Sequence, residues 1–296
     1  MERKDRIDAA GAAWLVGFAL LLAFNQVVIK VTNGGFQPVF FAGIRSLGAV
    51  LCLLVWLRIR GIAFRFPRAT WVPGVAIGVV FALEFLCLFM ALDLTTVARS
   101  AVLFYSMPVW LSLLAHVLLP GERLTRAKSA GLALALAGVA LAMSGRQGGS
   151  ASLAGDLFAL GGAVAWALLA ILARGTALNT QRPELQLVWQ LGISAPVLLL
   201  LAPLFGPFLR DPQMIHLLGL GFQIVVIAAG SFLMWLWLLS IYPAAGVASF
   251  SFLSPVFGVG FGWLLLGEQV GPELIGALAL VAPGLVLINR QVPQKV

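Results

Sequence analysis

The sequence predicts an all-α polytopic membrane protein of ten transmembrane helices, arranged as two inverted five-helix repeats. Three observations carry this. The mean hydropathy is +1.03, with 61% hydrophobic and only 10% charged residues, where soluble domains carry about 25% charged residues. A hydrocarbon core of about 30 Å needs roughly 20 apolar residues per helix, so 296 residues leave room for about ten spans. The two halves also match at a shift of about 146 residues: Pro108 precedes Gly121-Glu122 as Pro255 precedes Gly267-Glu268. Leu92 falls on Leu239, Ala101 on Ala248, Gly131 on Gly276 and Gly138 on Gly284. Pro38 with Arg45, and Pro183 with Gln190, share one spacing of seven residues.

Taken in order, the apolar runs place spans near Ala12–Ile29, Val39–Leu57, Trp71–Leu92, Val97–Leu118 and Ala127–Ser144, then Leu153–Ala173, Leu185–Phe205, Met214–Leu238, Ala245–Leu266 and Pro272–Ile288. The division is a tail at 1–11, a first repeat at 12–147, a second at 148–289 and a closing tail at 290–296. A β-barrel is excluded because its strands alternate over about ten residues, whereas Leu132–Ala142 is unbroken Ala, Leu, Gly and Val. Met1–Ala10 lacks a small-residue cleavage pattern, and the apolar run after it continues to Gln26 and Lys30 as a full span, so it reads as a retained segment.

Each half holds an odd number of spans, so the second copy enters the membrane from the opposite face. Charge agrees. Of the 19 basic residues, 14 fall on one side: Arg3, Lys4 and Arg6; Arg58, Arg60, Arg65 and Arg68; Arg123, Arg126 and Lys128; Arg174 and Arg182; Arg290 and Lys295. Arg99, Arg146 and Arg210 fall in the opposite loops. The positive-inside rule makes both termini cytoplasmic. The first Gly-Glu pair is followed by three basic residues and the second, through Glu273, by none, which sets the same motif on opposite sides. Inverted repeats are the scaffold of alternating access around a midplane site.

Polar groups inside spans are costly, about 2.5–3.5 kcal/mol for a central charge, and therefore face a bundle interior. Glu84, among Phe81, Phe85 and Leu88, is the clearest, and its repeat counterpart is Ser231. It reads equally as a ligand for an amine or proton and as a protonated structural group. Arg45 pairs by repeat with neutral Gln190 and reads as a structural partner of carbonyls, as Lys30 reads as a snorkelling end group. Glu122 and Glu268 beside their glycines suggest helix capping. Pro108 and Pro255 predict matched kinks. Near them lie Phe104 and Tyr105, with repeat mates Ser251 and Phe252. Asn25, Trp166 and Trp235 add an amide and broad aromatic faces, which suits a zwitterionic or aromatic small molecule. Trp14, Trp56, Trp71 and Trp263 sit near span ends, where interfacial belts form.

Walker, paired-histidine zinc and dinucleotide motifs are absent, so neither an enzyme nor a cofactor is expected. His116 and His216 are a hundred residues apart and suggest no metal site. Cys52 and Cys87 lie within spans and read as packing. Gly258 with Gly262, and Gly74 with Gly78, read as close helix contacts. The net charge of +8 sorts by loop, so nucleic acid is not the implied partner. The lipid bilayer and a small-molecule substrate are, with a monomer as the working expectation.

The run Asn25-Gln26-Val27-Val28-Ile29-Lys30, then Pro38 and Arg45, then Pro108 with Gly121-Glu122, resembles the ten-helix EamA-domain branch of the drug/metabolite transporter superfamily. Trp166, Pro183, Pro255 and Gly267-Glu268 extend the resemblance over nearly the whole chain. Within that branch the chain is most similar to the YddG-type exporters of aromatic amino acids. The resemblance implies a central cavity and export of amino acids or related metabolites across a bacterial inner membrane. The chain departs from the family at Leu22-Ala23-Phe24, where a Trp-Gly-Ser run commonly stands. It also lacks the early membrane glutamate of the four-helix multidrug relatives, a role that Glu84 does not inherit by position. A multidrug exporter of aromatic cations remains the alternative, and a non-transporting scaffold or receptor the alternative of a different class. A sugar-nucleotide exchanger would need paired basic residues in the cavity, against a lone Arg45.

Overall fold

The computed structural model describes residues 7–119, 122, 124–144, 152–242 and 250–289. Helices α1 (Ala9–Thr32), α2 (Pro38–Ile59), α3 (Trp71–Leu94), α4 (Val97–Phe104), α5 (Met107–Leu118) and α6 (Arg126–Ser144) form the first half. The second half comprises α7 (Leu153–Gly175), α8 (Pro183–Leu201), α9 (Met214–Phe222), a π-helical stretch Gln223–Ser231, α10 (Phe232–Ile241), α11 (Leu253–Leu266) and α12 (Pro272–Asn289). No strand occurs among the described residues beyond one isolated bridge between Phe36 and Leu209. Seven helical segments are long and apolar enough to cross a membrane, and shorter apolar helices at Met214–Ala228, Leu253–Leu266 and Pro272–Ile288 stand at the remaining expected spans.

Helix starts follow from local chemistry. Asp8 accepts from Gly11 N–H at 2.8 Å, and Thr96 and Ser152 cap α4 and α7 in the same way. Each satisfies a donor that a helix start leaves orphaned. Pro38 and Pro183 open α2 and α8, where a missing N–H costs nothing. The same rule corrects the expected kinks. The fourth span is broken at Tyr105–Ser106, and Pro108 stands in the first turn of α5. Pro255 likewise falls in the first turn of α11, after a 3₁₀ turn at Phe250–Phe252. At the first break Ser106 Oγ and Ser106 N–H both donate to Leu103 O, at 2.6 and 3.3 Å.

The packing interleaves the halves. α6 lies along α12, α2 along α8, α3 between α7 and α8, and α11 against α1 and α4. Exchanging each span with its repeat mate returns α6–α12, α2–α8 and α4–α11 to themselves and carries α3–α7, α3–α8 and α1–α11 onto contacts of the eighth span with α1 and α2 and of α7 with α4, as a pseudo-two-fold axis requires. Close approach is bought with glycine: a Cβ at Gly131 would stand 2.7 Å from Gly284 O, and one at Gly284 2.8 Å from Gly131 O. The inversion is visible in the two Gly-Glu motifs. Glu268 meets the start of α4, whereas Glu122 follows the end of α5 and meets Arg174 at the end of α7. They therefore lie at opposite ends of the bundle.

Candidate functional site

Three helices of the first half and the middle of the eighth span converge on one buried polar cluster. Asn25 on α1, Arg45 on α2, Glu84 on α3 and Gln223 at the start of the π-helical stretch are each less than a tenth exposed. Gln223 Nε2 donates to Asn25 Oδ1, and Arg45 Nε donates to Gln223 Oε1 at 3.1 Å. The guanidinium also lies 4.1 Å above the Phe85 ring, a cation–π contact strengthened by desolvation. Glu84 is an electrostatic neighbour of Arg45, yet the two form none of the ion pairs found among the described residues. Arg45 Nη1 and Glu84 Oε2 are both buried without a hydrogen bond. So are both amide atoms of Gln26.

Gln223 was missed by sequence reasoning, although a glutamine inside an apolar span carries the same signal that singled out Glu84. Its backbone setting has no such signature. Nine residues of π-helix widen the turn, a rare geometry that occurs frequently at functional sites.

An aromatic group adjoins this cluster at the break between α4 and α5. The Phe104 and Trp166 rings stack at 5.2 Å and 22°, and Tyr105 meets Trp166 edge-on at 6.1 Å. Gly162 makes room, since a Cβ there would lie 3.0 Å from the Phe104 ring. Tyr105 donates to Leu22 O at 3.1 Å, with Gln26 and Ser254 beside the hydroxyl. Phe81 continues the aromatic surface on α3, 4.6 Å from Phe85. Residues 22–26 of α1 thus connect the aromatic and polar groups.

Other sequence candidates lie elsewhere. Trp235 stacks on Phe18 at 5.4 Å, within a separate α1–α10 cluster with Leu15, Leu238 and Tyr242. Phe252 packs against the core of α4, α6 and α12. Ser231 is buried and donates to its own helix at Ile227 O. The Ser251 side chain lies outside the described residues. Gln190 is half-buried on α8 and is not a hydrogen-bond partner of Arg45. An open groove of about 630 Å³ beside Glu268, lined by Val259, Trp263 and Ile275 among others, shares no lining residue with the buried cluster.

Polar pairs tie the halves together at the Thr95 end of the bundle. Arg99, read from sequence as a loop residue, is buried in the first turn of α4 against Asp156 of α7, with Nη2–Oδ2 at 2.5 Å and Nε–Oδ1 at 3.1 Å. Thr95 Oγ1 adds a bond to Asp156 at 3.3 Å. Glu268 accepts from Val97 N–H at 2.6 Å and Ala98 N–H at 2.9 Å. Arg210 makes a bidentate pair with Asp93 at 2.6 and 3.0 Å. Lys30 Nζ, rather than reaching freely outward, donates to Thr95 O at 2.8 Å. At the other end, Arg174–Glu122 is a more exposed pair at 2.8 Å.

Comparison with known proteins agrees with this architecture. A protein of known crystal structure superposes with a TM-score of 0.65 at 24% identity, covering 93% of this chain and 97% of the other, which is a likeness of fold. A probable amino-acid metabolite efflux pump of Salmonella typhimurium is 28% identical, over 95% of this chain and 94% of the relative. The aromatic amino acid exporter YddG of Ancylobacter novellus is 31% identical over 55% of this chain and 58% of its own length. Residues 9–144 and 153–290 each match the EamA-like transporter family. With ten expected spans filled by apolar helices and both halves matched, the chain belongs to the EamA-like transporter family and is a membrane protein.

Proposed function

We propose that this protein is a secondary exporter of neutral, above all aromatic, amino acids and related metabolites, working by alternating access in a bacterial inner membrane with both termini cytoplasmic. The observation that carries the reading is the Phe104–Trp166 stack at a helix break, adjoining buried and incompletely partnered polar side chains. Aromatic faces offer an apolar, oriented surface to a ring-bearing side chain, and the adjacent polar groups can meet an amino acid's charged ends. The relatives named as a probable amino-acid metabolite efflux pump and as an aromatic amino acid exporter support the same class. The interleaved inverted halves support alternating access, because exchanging their roles would expose the same residues to the opposite face.

A second reading, export of aromatic cations, draws on the buried Glu84 of the polar cluster. The two differ in competition. Purified protein in liposomes is expected to accelerate flux of labelled phenylalanine, with planar organic cations failing to compete. Trp166→Ala should cut phenylalanine flux at low concentration about tenfold, the equivalent of ~1.4 kcal/mol of binding, while retaining the folded protein's elution profile. No flux of any amino acid would remove the proposal, and strong competition by planar cations would favour the second reading.

A further inference from the structure

We infer that Arg45 and Glu84 are the two jaws of a zwitterion clamp, Arg45 Nη1 taking the α-carboxylate of the transported amino acid and Glu84 Oε2 its α-ammonium. This assignment deepens the proposed function and rests on it. Both side chains are almost fully buried, Arg45 at 4% and Glu84 at 5% exposure, and each has a terminal polar atom with no hydrogen bond from the protein. Buried polar atoms are nearly always satisfied, so each exception calls for an explanation. A purely structural arginine–glutamate pair would close on itself, since attraction between buried charges outweighs their desolvation only in excellent geometry. Here Arg45 rests on the ring of Phe85, the residue next to Glu84, and the Arg45 and Glu84 side chains do not close on each other.

The arginine is aimed rather than loose. Its Nε is held by Gln223, Gln223 is held by Asn25, and its guanidinium face rests on Phe85. Four helical segments therefore fix the fork and leave Nη1 over. A carboxylate is the acceptor that a guanidinium fork recognises best, and a carboxylate jaw is the matching acceptor for an ammonium. An α-amino acid supplies both ends with no net charge. The site's charge balance is then the same loaded and empty, and reorientation carries no extra charge across the bilayer. The repeat counterparts Gln190 and Ser231 are neutral, so the clamp exists once and has a direction, as a dipolar ligand requires. A ligand with one charge leaves the other jaw unpaired, and sites built around buried polar groups reject such analogues strongly.

The test compares phenylalanine with phenethylamine, which lacks the carboxylate, and 3-phenylpropionate, which lacks the ammonium. In wild-type liposomes, inhibiting labelled phenylalanine flux by half should take at least tenfold more of either analogue than of unlabelled phenylalanine. Ligand-induced thermal shifts of purified variants supply an arm that needs no transport. In Arg45→Gln the preference for phenylalanine over phenethylamine should fall at least fivefold. In Glu84→Gln the preference over 3-phenylpropionate should fall by as much. Equal inhibition by all three compounds in an active wild type overturns the clamp alone, as do variants that keep both preferences. A wild type that moves no amino acid overturns the proposed function instead. Should Arg45→Gln fail to fold, the wild-type ratios and Glu84→Gln decide.

Discussion

Asp156→Asn is expected to destabilise the protein by about 3–5 kcal/mol, the cost of leaving one member of a buried ion pair uncompensated. Asp156 is fully buried at the start of α7, and the Arg99 side chain it faces is 7% exposed. The asparagine keeps the shape and loses the charge, so the arginine remains in an apolar setting without its counter-ion. The double variant Arg99→Met with Asp156→Leu should recover most of the loss, because exchanging a whole buried pair for apolar residues is often neutral. Thermal unfolding in detergent reads both. Asp156→Asn melting with the wild type would mean that the pair is solvated in the native state. The pair joins α4 of the first half to α7 of the second, so an alternating-access cycle that opens the Thr95 end has to work against it.

Glu268→Leu is the second large effect, about 2–6 kcal/mol, from two N–H groups losing their acceptor at about 1–3 kcal/mol each. The sequence builds this contact in steps. Gly267 ends α11 in the left-handed conformation, with φ at 66°, a geometry that glycine adopts without strain. The chain reverses there and carries the carboxylate back under the first turn of α4. Gly262 leaves the space, since a Cβ at that position would meet Glu268 and stand 3.1 Å from Ala98 N. A carboxylate at a helix start also meets the positive end of the helix dipole. The contrast lies with its repeat mate. Glu122→Leu breaks only a partly exposed pair with Arg174 and should cost under about 1 kcal/mol. Equal losses in the two variants would contradict this description of the two ends.

The fold was legible because apolar length is a direct consequence of the bilayer and the repeat is written in the residues themselves. The apolar runs become helical, whole or broken as in the fourth span, since lipid offers the backbone no outside partner. The duplicated Pro and Gly-Glu positions announced the symmetry. What sequence spacing could not supply was which side chains meet across the bundle. Trp166 and Trp235 look equivalent as tryptophans inside spans, yet one stacks on Phe104 and the other on Phe18, because α7 and α10 face different neighbours. Arg99 looked like a loop charge because it follows the expected start of a span by two residues; its partner Asp156 is 57 positions away. The form of the break before Pro108, a stop and restart, was not legible for a local reason. Proline inside a long apolar run reads as a kink, but the helix stops first and restarts with proline in a tolerated place. Gln223 became visible as the link between Asn25 and Arg45 only when α1, α2 and the eighth span were brought together.

Counterflow tests the central claim most directly. Liposomes containing purified protein and loaded with excess unlabelled phenylalanine are diluted into a trace of labelled phenylalanine. A carrier whose site faces one side at a time exchanges the two, so label should accumulate transiently above its external concentration and then decay as the internal pool empties. Label that only equilibrates, or never enters beyond protein-free liposomes, would contradict an alternating-access exporter of amino acids built on these inverted halves.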